Sequence, residues 1–250
     1  MYINKIKVPQ TTSTNALLAD YEQESTDEVT VVTTDYQTAG RGQGGNSWES
    51  ERGKNLLFSV LIHPTAVVPT RQFTISMAVA TAIATVLRKY MPQQPVTVKW
   101  PNDIYVSDNK ICGILIETTI KGGELKDCII GVGLNVNQRQ FLSDAPNPVS
   151  IAQLTGHDTN RDILLDELIA TMITNINRLA SRSGMAEVKA EYHELLYKKG
   201  VTAKYKDCDG IFEAQISHVE DTGMLIVTDN NGNNRSYAFK EIEFITDNRI

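Results

Sequence analysis

Hydrophobic and polar positions change texture once along this chain, near residue 198. Before that point, Ser13-Thr14-Asn15 ahead of Ala16-Leu17-Leu18-Ala19 reads as an N-cap opening a short helix. Two runs, β-branched at 29–34 and largely apolar at 55–63, read as strands. Behind Pro69, the residues Phe73, Met77, Ala80, Ala84 and Leu87 recur at helical spacing and predict a helix over 70–90. Strands are predicted at 96–100, 110–119 and 125–135, with Gly122-Gly123 as the turn between the last two. Segment 137–149 is polar, carries two prolines and an exposed-looking Phe141, and reads as a long functional loop. Asn160 caps a helix whose Leu165, Leu168, Met172, Ile176 and Leu179 form one stripe, and a further helix covers 185–198.

After Gly200 the runs shorten to 201–206, 211–219, 224–228, 235–239 and 242–245, separated by turns rich in Asp, Asn and Gly. Short strands with such turns predict a small β-barrel or sandwich. The expected organisation is a larger α/β domain over 1–198 and a small β domain over 199–250.

Composition narrows the field. The 250 residues are 41% hydrophobic and 22% charged, with a net charge of -6. An acidic chain repels phosphate backbones at long range, so no nucleic-acid partner is expected. Cys112, Cys128 and Cys208 lie far apart with no CxxC pair, which speaks against a disulfide framework or a zinc site. His63, His157, His193 and His218 occur in no ligand spacing. The first ten residues hold no long apolar run, and the stretches 56–62 and 111–116 are too short to span a bilayer. A soluble cytoplasmic protein without a membrane partner is expected.

Three segments carry chemistry. Gly40-Arg41-Gly42-Gln43-Gly44-Gly45 satisfies G-x-G-x-x-G, but the polar residues after it lead to another strand rather than a helix. A dinucleotide fold is therefore not indicated, and the P-loop pattern is absent. Such a loop lets the backbone approach a ligand closely, and Arg41 adds a fork suited to carboxylate or phosphate; a flexible turn with an incidental arginine remains open for it alone. Lys99-Trp100-Pro101-Asn102-Asp103 gathers polar groups at a strand end, and Lys110 enters the apolar run that contains Gly113 and Glu117. Gly131-Val132-Gly133-Leu134-Asn135 interrupts another apolar run with glycines, which marks close approach of a ligand or backbone.

Taken in order, Ser13-Thr14-Asn15, Gln37 to Gly42, Trp48, Lys99 to Asp103, Lys110-x-x-Gly113-Ile114-Leu115-x-Glu117 and Gly131-x-Gly133-Leu134-Asn135 closely resemble the biotin protein ligases, over about residues 10–155. The resemblance implies a class II synthetase-like mixed sheet with flanking helices, followed by a small SH3-like barrel. It implies an enzyme that joins biotin to ATP as biotinyl-adenylate, with Mg²⁺, and then transfers biotin to a lysine of a biotin carboxyl carrier protein of an acyl-CoA carboxylase. Arg41 and Lys110 would be catalytic. Ser13, Thr14, Asn15, Gln37 and Gly40 would hold biotin together with them, while Gly113 and Gly131 leave room for its rings. Arg41 again, with Gly42, Gln43, Asn46, Trp48, Lys99, Asn102 and Asn135, would serve ATP and the adenylate. Metal ligands stay unassigned.

Members of that family often carry arginines where this chain has Gln43 and Asn46. Some also carry an N-terminal DNA-binding domain; with the first motif at residue 13, a ligase without repressor function is expected. A homodimer remains open. So do two other readings: a lipoate ligase or octanoyltransferase of the same fold, whose cysteine and histidine signatures are not seen here, and a non-catalytic biotin-binding module.

Overall fold

The computed structural model describes residues 2–23, 25, 28–143 and 147–245. Among them, β1 (Tyr2–Val8), α1 (Thr14–Ala19), β2 (Glu28–Thr34), β3 (Leu56–Ile62), α2 (Phe73–Tyr90), β4 (Val96–Lys99), β5 (Asp103–Val106), β6 (Asn109–Lys121) and β7 (Glu124–Leu134) follow in chain order. The strands form a seven-stranded sheet in the order β1-β2-β3-β7-β6-β5-β4. Only the β1–β2 pair is parallel, so the sheet is mixed, as expected.

All seven residues of β3 are buried, because the sheet is covered on both faces there. On one face α1 packs against β3 and β7, with Leu18, Val32 and Leu61 in contact. On the other lies α2, buried nearly all round between the sheet and two further helices, α4 (Arg161–Arg178) and α5 (Arg182–Glu194). The Ala78, Ala80, Ala82 and Ala84 positions keep α2 slim enough to be packed from several sides. The remaining helix, α3 (Ile151–Thr155), opens on a capping box between Ser150 and Gln153.

Predicted boundaries move by a few residues. Helix α5 ends at Glu194, four residues before the expected 198, and α2 begins at Phe73 after a short 3-10 turn. Phe141 is half-buried rather than exposed, and residues 144–146 of the long loop lie outside the described residues.

A second, antiparallel sheet contains β8 (Ala203–Asp207), β9 (Gly210–Val219), β10 (Leu225–Asp229), β11 (Asn234–Tyr237) and β12 (Glu243–Phe244), in the order β11-β10-β9-β8-β12. It is fastened to the first layer by Trp100, whose indole N–H donates to the Gly223 carbonyl at 2.9 Å. At the other end, the Lys240 ammonium donates to the Gly44 carbonyl at 2.9 Å. Among the described residues no helix is long and apolar enough to cross a membrane.

Candidate active site

Sheet register builds the floor of the site. Ser59 on β3 pairs with Gly131 on β7, which pairs with Leu115 on β6. Two residues along, Gly133 pairs with Gly113, which pairs with Asp103 on β5. Residues two apart on a strand share a face, so both rows open toward α1. The trough between them leads into a cleft of about 410 Å³, within the range of small-molecule sites.

One end of the cleft is polar and rigid. Ser13, Thr14 and Asn15, at the start of α1, are each about 5% exposed or less. The Thr14 amide and hydroxyl face Gln37 Oε1 at 2.8 and 3.2 Å. The Ser59 hydroxyl lies 2.7 Å from that of Thr14 and donates to Asn15 Oδ1 at 2.6 Å. Asn15 then donates to Glu117 Oε2 at 2.7 Å.

Cations line the other walls. Arg41, on the glycine loop, sits 3.3 Å from Glu117 Oε2. Lys110 sits 2.7 Å from Asp103 Oδ1, and its ammonium lies 5.6 Å from the centre of the Trp48 indole. Lys99 donates to the Tyr105 hydroxyl at 3.1 Å and faces the Phe244 ring. Burial raises the Asp103 carboxyl above its ordinary range, and the Lys110 and Lys99 charges offset that only in part. The glycine loop is a tight hairpin: Gly42 N–H donates to Asn46 O at 2.7 Å, and Trp48 N–H to Gly40 O at 3.0 Å.

Most residues singled out in the sequence meet here. Ser13, Thr14, Asn15, Gln37, Arg41, Gly42, Gln43, Asn46, Trp48, Lys99, Asn102, Lys110, Gly113 and Gly131 all line the cleft. Gly40 and Asn135 do not. Asn135 is buried behind it, where its side-chain amide donates to the Val149 carbonyl at 3.1 Å and ties down the end of the long loop. Gly113 and Gly131 also leave room for neighbouring side chains. A Cβ on Gly131 would collide with the Asn15 amide, and one on Gly113 would come within 2.9 Å of the Trp48 ring.

Sequence reading missed several participants. Ser59 reads as one more residue of a buried strand, and Glu117 only as part of a motif. Phe239, Lys240, Ile242 and Phe244, from the second sheet, also line the cleft, and nothing local in the sequence announces that.

The long loop is held against this region. Glu49 accepts N–H bonds from Leu142 and Ser143 at 2.9 and 2.8 Å. Burial pushes its carboxyl upward, yet the Ser143 side chain together with those N–H donors prevails and holds it below the ordinary carboxylate range. Lys110 is braced by the same loop: its amide donates to Asn147 O at 2.8 Å, and its carbonyl accepts from Val149 at 2.9 Å.

No cluster of three or more His, Cys, Asp or Glu able to hold a metal ion occurs among the described residues. The carboxylates lining the cleft are Asp103, engaged by Lys110, and Glu243 from the second sheet. This donor set does not fit a cation caged by the protein alone.

A polar pocket end, a glycine hairpin and the cations Arg41, Lys99 and Lys110 thus gather in one cleft over a mixed sheet. The chain belongs to the biotin/lipoate A/B protein ligase family, whose model matches residues 6–135. It is 36% identical over 167 residues to the bifunctional ligase/repressor BirA of Salmonella typhimurium, covering 66% of this chain and 51% of that protein. It is 32% identical over 173 residues to the biotin--[acetyl-CoA-carboxylase] ligase of Mycobacterium tuberculosis, covering 66% and 63%. The chain spans about half to two-thirds of the bifunctional relatives it matches. In fold it is similar to the biotin protein ligase from Aquifex aeolicus in complex with biotin and ATP, with a TM-score of 0.78 at 23% identity, covering 96% of this chain and 97% of that one.

Proposed function

We propose that this chain is an ATP-dependent biotin protein ligase acting in the cytoplasm. In the first step a biotin carboxylate oxygen attacks the α-phosphorus of ATP. The bond from that phosphorus to the β-bridging oxygen breaks, releasing pyrophosphate and leaving biotinyl-5'-adenylate. In the second, the ε-amine of a carrier lysine attacks the acyl carbon, AMP departs, and one proton is released. The recipient is a biotin carboxyl carrier domain of an acyl-CoA carboxylase.

The observation that carries this reading is the placement of Arg41 and Lys110 on one cleft whose far end is the buried Thr14–Gln37–Ser59–Asn15 network. Joining a carboxylate to a triphosphate brings two anions together, and fixed cations stabilise the charge that builds up between them. The buried network supplies donors and acceptors for a polar ureido ring, positioned before the ligand arrives. On this reading Lys99, Asn102, Gln43, Asn46, Gly42 and Trp48 serve the nucleotide, and Gly40 shapes the hairpin that carries Arg41. Magnesium would enter with the nucleotide phosphates, since the described residues hold no cluster of ligands to cage it. Residues 1–198 would form the catalytic domain and 199–250 an SH3-like module; a homodimer is compatible with this organisation.

The family includes lipoate-handling members, and the names of the curated relatives favour biotin. The test is biotin-dependent exchange of labelled pyrophosphate into ATP. Exchange that needs biotin and fails with lipoate supports the reading. Exchange with lipoate alone replaces it by the lipoate reading, and no exchange with either acid removes the activation step.

A further inference from the structure

In this structure Arg41 already holds a carboxylate. Its guanidinium sits 3.3 Å from Glu117 Oε2, and the same oxygen accepts the 2.7 Å bond from Asn15. Asn15 is 3% exposed, clamped between the Ser59 hydroxyl, the Leu115 carbonyl and the bare backbone of Gly131. A buried, fully braced amide therefore aims Glu117 at Arg41. A surface glutamate that met an arginine by chance would have no such support.

The pair is also placed to be exchanged. The side chains of Arg41 and Glu117 are 48% and 42% exposed, so water screens their attraction and the link is weak. A buried pair would hold Arg41 against any incoming ligand.

We propose that Glu117 is a positioning and specificity-determining residue whose carboxylate stands in for the ligand's own carboxylate on Arg41. This rests on the reading of the cleft as a biotin and ATP site. An acid must displace Glu117 to reach the guanidinium. A neutral analogue leaves the pair as it is. Glu117 thus lowers the affinity for acids, but it keeps the Arg41 fork oriented and neutralised while the cleft holds no anion.

Glu117→Gln preserves size and the acceptor for Asn15 while removing the charge. Titration calorimetry with biotin and with biotinamide, on the whole chain, reads the effect. Wild type is expected to bind both. In Glu117→Gln the biotin Kd should tighten about 2- to 5-fold, the range of a partly exposed ion pair, with the biotinamide Kd unchanged. In an Arg41→Gln background the same substitution should leave the ratio of the two affinities unmoved, which a merely structural role would not produce. Glu117→Asp, which withdraws the carboxylate by one methylene, should move the ratio in the same direction by less and serves if the glutamine variant folds poorly. A ratio that stays constant or falls in Glu117→Gln, or shifts equally without Arg41, overturns the inference. A wild type that binds neither ligand overturns the biotin reading and this inference with it; the wild-type titration tells the two failures apart.

Discussion

Lys110 and Asp103 meet at 2.7 Å across adjacent strands, with Lys110 at the register shift of β6 and Asp103 opposite Gly113. The pair sets one cation at the edge of the trough, and burial holds its carboxyl partner above the usual range. Lys110→Ala removes the charge and leaves the Asp103 carboxyl, freed of the lysine that lowers it, to take up a proton more readily. Pyrophosphate exchange should fall about 100- to 1,000-fold, the effect of losing one preorganised stabilising group. The far-ultraviolet circular dichroism should stay that of wild type. A folded variant with normal exchange removes Lys110 from the chemistry.

Gly133 tests the trough. A Cβ there would run into the Trp48 indole, whose N–H is buried without a hydrogen-bond partner. Gly133→Ala should displace Trp48 at a cost of about 1–3 kcal/mol. Its tryptophan emission should shift to longer wavelength, and nucleotide affinity should weaken more than biotin affinity. Unchanged emission with unchanged affinities would show that the indole has room to spare.

Ser59 is wholly buried and is the hinge of the polar network. Ser59→Ala leaves Asn15 Oδ1 without that donor, which costs about 1–3 kcal/mol. Calorimetry should show weaker biotin binding, with nucleotide affinity less affected. Equal losses for both ligands would point to general unfolding of the cleft instead.

The second sheet should be acid-sensitive. Asp207 titrates below its ordinary value because Tyr237 and the backbone donors of Asp209 and Gly210 favour its charged form. Asp229 does so because of backbone donors at Asn233 and Asn231 and the Arg235 side chain. Depressed carboxyl values contribute stability that is present above the ordinary value of 3.8 and lost as pH falls through the folded-state values. Thermal unfolding followed between pH 6 and pH 2 should therefore show a fall in Tm that begins below about pH 4 and shrinks in Asp207→Asn. An equally steep fall in that variant would place the acid sensitivity elsewhere.

How much of this was legible in the sequence varied with the kind of signal. Long periodic elements such as α2 and α4, and the β6–β7 hairpin, follow from their own residues. Strand β1 escaped notice: its Tyr2, Ile3 and Lys5 alternate poorly between polar and apolar at an exposed sheet edge, so periodicity carried little information. The motifs named nearly the whole cleft, because each sits at a strand end or a turn that the sheet gathers on one side. What they could not give was register. Register alone places Ser59 beside Gly131 and brings Asn15 and Trp48 close over Gly131 and Gly113. It also explains Asn135, which pairs with neither row and turns inward to hold Val149. The contribution of Phe239 to Phe244 depends on how the second sheet docks, through contacts such as Trp100 with Gly223, which no local pattern encodes.

The most direct measurement is the mass of a biotin carboxyl carrier fragment after incubation with this protein, biotin and Mg·ATP, with lipoate replacing biotin in a parallel reaction. A gain of one biotin per fragment that needs ATP, maps to the carrier lysine and is absent with lipoate is the expected result. An unchanged fragment mass, from protein that is folded and supplied with both substrates, would contradict the assignment of this chain as a biotin protein ligase.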